Sequence, residues 1–374
     1  MNAVEQACVP HLALFIKEDA VIDGANEILK TIKPHWHIKD VRHKMFTDGI
    51  TNKLVGCFNQ PNQGGVSRGD TSKTFDPDTA VTEDVMLIRV YGNKTDLLID
   101  RRKETENILL MNKYGYAPSI YATFDNGLAY EYVPGTTLTP TSCQEEYIWP
   151  LVARRMAQMH KVRPIPLTDE RPALVAKMDQ FLALIPESFS DAAKDKLVWK
   201  VFPRVSELRA EFGDLYAKLQ RLNSPVVFCH NDLLLGNVIY DKTRSRVTFI
   251  DYEYAGLNHQ AFDIGNHFTE FAGVAEIDYS RYPSKDFQMR WLREYLEEFI
   301  NGETTNTSPI VEADVQRLYV QVNQYALASH FLWAVWALIQ AEHSTIDFDF
   351  VQFGVIRFTE YRRKKDEFLT LCAD

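Results

Sequence analysis

Two aspartates and an asparagine stand at spacings that suit the transfer of a phosphoryl group. The run VVFCHNDLLLGNVIYDKTRSRVTFIDYEYAG brings His230, Asn231 and Asp232 to the end of an apolar segment, and Asn237 follows Asp232 by five residues. A second apolar segment ends at Asp251. An aspartate placed like Asp232 can accept the proton of a substrate hydroxyl, while the amide oxygen of Asn237 and the carboxylate of Asp251 can hold Mg2+. The chemistry needs these residue types. Phosphoryl transfer rests mainly on positioning and on neutralising charge at phosphate oxygens, and Mg2+ is a hard cation that takes oxygen ligands. A His-x-Asp triplet alone arises by chance in many chains, with the aspartate capping a turn. Both strands and both spacings together carry the inference.

Strands must deliver these side chains. Val226 to Cys229, after Pro225, reads as a strand, and Val247 to Ile250 reads as another leading into Asp251. Upstream, Ile50, Leu54 and Val55 with Gly49 and Gly56 predict a hairpin, and VMLIRVYG (Val85 to Gly92) predicts a short strand carrying Arg89. Ile99 to Gly115 reads as a helix stopped by its glycine, and Ser119 to Gly135 as a hairpin turning at Asp125-Asn126-Gly127. Downstream, Glu145 to Val162 reads as helical. Pro203 to Leu222 repeats Val205, Leu208, Phe212, Leu215 and Leu219 at helical spacing. Ser308 and Pro309 are expected as the cap and first residue of a helix running toward Gln340. The pattern predicts an α+β chain of two lobes. A β-rich nucleotide-binding lobe covers 1–132, and a larger helical lobe over 133–374 holds the catalytic loop. Asn59 to Asp84 is rich in Gly, Pro, Ser, Thr and Asp and reads as a flexible surface insertion.

Bulk properties agree. At roughly 100–200 residues per domain, a chain of 374 residues is expected to form two units. Forty-one basic against 51 acidic residues give a net charge of −10, which argues against non-specific nucleic-acid binding or an anionic-membrane face. Five scattered cysteines without a C-x-x-C pair argue against a disulfide framework or zinc site. The clean apolar run Phe331 to Ile339 falls far short of the roughly 20 residues of a membrane span. A cytoplasmic protein without stable membrane insertion is expected.

From about Phe46 to the C-terminus, the insertion apart, the chain resembles the choline/ethanolamine kinase family, and its ethanolamine kinase branch in particular. FTDGITNKL, LIRVYG, CHNDLLLGN, FIDYEYAGLNHQAFDIGNHFTEFAGV and HFLWAVWALIQ followed by STIDFDF carry the likeness. The resemblance implies a bilobal protein-kinase-like fold shared with aminoglycoside kinases. It implies ATP and Mg2+, and phosphorylation of ethanolamine to phosphoethanolamine as the first step of phosphatidylethanolamine synthesis by the CDP-ethanolamine route. A homodimer is compatible with it.

Residue by residue, the resemblance makes Asp232 the base and Asn237 and Asp251 the metal ligands. Thr47, Gly49, Thr51 and Asn52 would cover the nucleotide phosphates, in a segment lacking the G-x-G-x-x-G of protein kinases. Arg89 would contact phosphates in place of the protein-kinase lysine, oriented by Glu104 or its competitor Glu106. Glu131 to Val133 would meet adenine through backbone groups. Leu234 stands near ATP where the choline branch has glutamine. Glu253, Tyr254, Glu270, Trp333 and Trp336 would hold a cationic head. A cation over an indole gains about 0.5–2 kcal/mol, and a carboxylate adds a charged partner. On pattern alone the two tryptophans also suit a helix buried all round. His230, Asp263, Asn266 and His267 are expected to brace the loop. The rivals are a choline kinase, another small-molecule kinase of the same fold, and a non-catalytic pseudokinase. The FDIGNHFTEF segment and paired tryptophans speak against the second. The third should have lost Asp232, Asn237 or Asp251, and all three are present.

Overall fold

The computed structural model describes residues 9–46, 52–60, 85–92, 97–164, 171–302, 308–344 and 346–372. Thr47, Gly49, Thr51 and nearly all of the expected insertion lie outside them. The chain forms two units, one of residues 1–95 and 108–136, the other of 96–107 and 137–374.

The first unit is built on a six-stranded sheet. Its elements are β1 (His11–Leu12), α1 (Val21–Ile32), β2 (Val41–Phe46), β3 (Asn52–Asn59), β4 (Val85–Tyr91), the C-terminal part of α2 (Arg101–Lys113), β5 (Ile120–Phe124) and β6 (Gly127–Glu131). The strand order is β1-β5-β6-β4-β3-β2, antiparallel except for β1 beside β5. Alternation assigns the faces. Val55, Cys57, Met86, Ile88, Val90 and Ala129 pack in one core with Val21, Ala25, Ile28 and Leu29 of α1. Leu87 joins Phe58, Val85 and Tyr132 in a second core, and Arg89 has Leu87's parity on β4. Arg89 is buried, paired across the sheet with Leu54 and Leu128. Gly127 is required where β6 starts, because a Cβ there would lie 2.1 Å from the Arg89 carbonyl oxygen. The neighbouring Asn126 side chain accepts from Ile16 N (2.9 Å) and donates to Ile16 O (2.8 Å), tying the turn to the entry of α1.

The second unit holds β7 (Thr136–Thr137), α3 (Trp149–His160), α4 (Ala173–Leu184), α5 (Ala192–Val201), α6 (Val205–Gln220), β8 (Val226–Cys229), β9 (Val238–Asp241), β10 (Arg246–Phe249), β11 (Gly256–His259), α7 (Gln260–Thr269), α8 (Lys285–Ile300), α9 (Glu312–His343) and α10 (Phe350–Leu369). The 32-residue α9 runs through its core, buried all round from Val320 to Ile339, as a helix apolar on every side must be. α7 crosses it closely. A Cβ on Gly265 would meet Val322 O at 2.7 Å and Ala326 N at 3.0 Å. No helix among the described residues is long and apolar enough to cross a membrane.

The start of α9 departs from expectation. It begins at Glu312 with Val311 at the cap, beyond Ser308 and Pro309. The Asn301 side chain takes both backbone groups of Ser308, accepting from its N (2.7 Å) and donating to its O (3.0 Å). That holds the approach to α9 extended. Asp349, by contrast, caps α10 by accepting from Gln352 N at 2.9 Å.

Candidate active site

Two short ladders in the second unit set the catalytic loop. β8 pairs antiparallel with β11, Cys229 opposite Gly256, and β9 pairs with β10, Val238 opposite Phe249. Asp232 leaves the end of β8, and Asp251 follows β10. Both turns use left-handed backbone without glycine, at Asn231 (φ 66°) and Asp251 (φ 67°). Asn and Asp tolerate this conformation best among non-glycine residues, and such positions persist where surrounding bonds over-determine them.

Asp263 of α7 supplies those bonds at Asn231. Its Oδ2 accepts from His230 N (2.8 Å) and its Oδ1 from Asn231 N (2.7 Å). His160 of α3 donates from Nε2 to Oδ2 (2.9 Å) and accepts from the Tyr295 hydroxyl at Nδ1 (2.6 Å). Burial alone would raise the Asp263 pKa, but the His160 hydrogen bond, the neighbouring imidazoles and the backbone N–H groups outweigh it and hold the carboxyl below its ordinary value. His230 Nε2 donates to Ile250 O (2.9 Å), and His267 Nδ1 donates to Leu233 O (2.9 Å). Burial pushes the His267 pKa down to about 4, so this brace is neutral. The bracing expected of His230, Asp263 and His267 is what the structure shows.

Asn237 is tied back to the loop. Its Nδ2 donates to Asp232 O (2.8 Å) and its carbonyl accepts from Ile250 N (3.0 Å). The amide oxygen is thus the end with ligand chemistry. Leu234 lies in the same turn, donating from N to Asp232 O (2.9 Å). Carboxylate oxygens of Glu104, Asp251 and Glu253 lie within 4.8 Å of one another. Asp251 and the Asn237 amide oxygen are the donor types that a hard divalent cation takes. Burial raises the Asp232 pKa well above the usual carboxylate range. The charges of Asp251, Glu270 and Glu253 add to this, and Arg357 opposes it. A carboxyl raised in this way is a stronger proton acceptor once ionised.

An aromatic corner lies alongside. The rings of Tyr254 and Trp333 stand 5.3 Å apart at 81°, and those of Trp333 and Trp336 5.6 Å apart at 82°. Trp333 Nε1 donates to Asn266 Oδ1 (2.7 Å) and Trp336 Nε1 to the Tyr254 hydroxyl (3.0 Å), fixing both indole planes. Burial raises the Tyr254 pKa, and the charges of Glu253 and Asp232 raise it further, so this ring shares the field of the catalytic carboxylates. Lys177 of α4 already sits 5.6 Å from the Tyr254 ring centroid.

The second unit therefore gathers Glu104, Asp232, Leu234, Asn237, Asp251, Glu253, Tyr254, Glu270, Trp333 and Trp336, each as named from the sequence. Asn52, Arg89, Glu131 and Val133 belong to the first unit. There the Glu131 carboxylate accepts from Ser119 N (3.1 Å), consistent with a side chain used for structure. Glu106 pairs with Arg102 on the exposed side of α2. Sequence reasoning missed Arg101, which donates to both Glu104 and Glu253, and Arg357, whose buried guanidinium pairs with Glu270. It also gave no role to Asn231 or His160.

A braced loop with a buried carboxyl, clustered carboxylate oxygens and a neighbouring aromatic corner suits phosphoryl transfer to a small molecule. The choline/ethanolamine kinase family model matches residues 43–362, and the chain belongs to that family. An ethanolamine kinase of Drosophila melanogaster is 48% identical over 99% of this chain and 82% of that protein. Ethanolamine kinase 2 of Mus musculus is 44% identical over 97% of this chain and 86% of that protein. The solved structure of a Plasmodium vivax ethanolamine kinase superposes with a TM-score of 0.75 at 24% identity, covering 93% of this chain and 89% of that one, and shows the shared protein-kinase-like fold. Family membership brings ATP as the phosphoryl donor and a divalent metal.

Proposed function

We propose that the protein phosphorylates the hydroxyl of ethanolamine with ATP, in the cytoplasm, with Mg2+ as the divalent ion. One arrangement carries this reading: Asp232 lies in the field of Glu253 and Glu270 and beside the corner of Tyr254, Trp333 and Trp336. A small amino alcohol has one end for each part. Its ammonium faces the rings and carboxylates, and its hydroxyl reaches Asp232. The Asp232 carboxylate takes the hydroxyl proton as the oxygen forms its bond to the γ-phosphorus and the bond to ADP breaks. Asn237 and Asp251 would hold the metal, which supplies neutralising charge for the phosphate oxygens. Arg89 would add a cation to the phosphates. Asn52, with Thr47, Gly49 and Thr51, would cover the phosphates. The backbone of Glu131 to Val133 would take adenine, with Leu234 near the nucleotide.

Turnover separates this reading from a non-catalytic binding protein. Ethanolamine-dependent ADP release with Mg2+ and ATP is expected, and its absence from folded protein would contradict the assignment. Within the site, Trp336→Ala is expected to raise KM for ethanolamine about tenfold with a smaller change in kcat, because the indole binds the head away from the reacting oxygen. Steady-state kinetics check this. A fall in kcat at unchanged KM would place Trp336 elsewhere in the mechanism.

A further inference from the structure

Three helices of the second unit share one buried chain of hydrogen bonds. It starts at Arg357 of α10. Nη2 of Arg357 pairs with Glu270, just beyond α7, and Nη1 donates to Oγ1 of Thr269, the last residue of α7 (3.2 Å). The Thr269 proton has two acceptors in reach, Asn266 O (2.8 Å) and Ser329 Oγ (3.2 Å). Both routes lead to Asn266, because Ser329 of α9 donates to Asn266 Oδ1 (2.7 Å). The same Oδ1 accepts from Trp333 Nε1 (2.7 Å). None of these residues is more than 5% exposed, so water does not compete for the bonds.

Donor and acceptor chemistry fixes the direction of the chain. A guanidinium and an indole N–H only donate, so the Asn266 amide must turn its oxygen toward Ser329 and Trp333. Asn266 and Thr269 are three apart on α7, and Ser329 and Trp333 four apart on α9, so each pair lies on one helix face. One guanidinium thus holds a carboxylate directly and an indole through neutral groups. Its planar fork serves both branches, which the point charge of a lysine does not reproduce. The charges of Glu270 and Arg357 act on Asp232 with opposite sign, so the pair stands in the field of the catalytic carboxyl. We infer that Arg357 is a positioning residue for the head-group end of the site: it holds Glu270 and, through Thr269 and Asn266, the plane of the Trp333 indole. The inference rests on the assignment of Glu270 and Trp333 to the amino-alcohol head.

The test is calorimetric binding of ethanolamine and steady-state kinetics in variants of the chain. Thr269→Val keeps the shape and the Arg357–Glu270 pair but breaks the route to Asn266. It is expected to raise Kd and KM for ethanolamine about three- to tenfold, the scale of one hydrogen bond, with kcat and the KM for ATP changed less than about twofold. Thr269→Ser keeps the hydroxyl and should bind as the parent does. Arg357→Lys should lose at least as much as Thr269→Val, since one ammonium cannot serve both branches. Trp333→Phe lacks the indole N–H, so adding Thr269→Val to it should weaken binding little further. If Thr269→Val fails to fold, Ser329→Ala, which removes the other donor to Asn266 Oδ1, should show the same split between KM and kcat. Additive losses in the double variant, parent-like binding in Arg357→Lys, or a fall in kcat at unchanged KM would overturn the inference while leaving the head-group residues assigned. Unchanged ethanolamine binding in both Glu270→Gln and Trp333→Phe would remove that assignment and the inference with it.

Discussion

Asp232→Asn is expected to lower kcat by about 10²–10⁴-fold in a protein that folds as well as the parent. The amide keeps the shape but cannot take the hydroxyl proton. The electrostatics make the separation clean. Burial and the charges of Asp251, Glu270 and Glu253 raise the Asp232 pKa in the folded protein. An acid raised on folding costs stability as pH climbs above its unfolded value near 4. Neutralising it at pH 7 removes that cost, so the melting temperature should hold or rise while turnover collapses. The acid limb of the pH profile of kcat/KM should vanish with it. Near-normal turnover in a soluble Asp232→Asn protein would refute the assignment of the base.

The second large effect is expected at Asp263, which touches no reacting atom. Asp263→Asn presents one acceptor and one amide donor to a site where His230 N, Asn231 N and His160 all donate. At least one buried N–H then loses its acceptor, and the charge that strengthened the other bonds is gone. A loss of about 3 kcal/mol in unfolding free energy follows. The left-handed backbone at Asn231 loses its anchor, and Asp232 moves with it, so kcat should fall at least ~10-fold. The pH dependence has a definite sign. The folded pKa of Asp263 lies below the ordinary carboxyl value. Its stabilisation is therefore fully present above about pH 4 and is lost as pH falls through the lower folded value. The variant should be weaker at pH 7 and lose less on acidification. Denaturation midpoints and kcat matching the parent's across that range would contradict the bracing role.

What could be read from the residues alone was local. Asp232, Asn237 and Asp251 stand at the ends of short strands, so their spacing survives in the chain as a pattern. The helix α1 was not foreseen. VIDGANEILKTI carries Asp23 and Gly24 in its first turn, and its apolar face gains its stability from Ile16, Val55 and the rest of the sheet core. The Ser308 cap failed for a similar reason, since the partner that claims it is the Asn301 side chain. Arg101 and Arg357 were invisible because Glu253 and Glu270 lie 152 and 87 residues away from them, and one charged residue on a polar helix looks like another. Trp333 and Trp336 were named by resemblance. The structure shows why pattern could not decide: both are buried as core residues are, yet both indoles are fixed by hydrogen bonds, Trp333 to Asn266 and Trp336 to the Tyr254 hydroxyl.

The most direct measurement is kcat/KM for ethanolamine against choline, with ATP and Mg2+ at saturation. A primary ammonium offers three N–H donors to the acceptor oxygens of Glu253 and Glu270 as charge-assisted bonds. Trimethylammonium offers none and needs more room among Tyr254, Trp333 and Trp336. An unmade hydrogen bond in a site built for it discriminates more strongly than added methyl groups in an aromatic corner can return, which is worth only about 1–3 kcal/mol. The expected result is a preference for ethanolamine of at least ~10-fold. Equal values, or a preference for choline, would contradict the account.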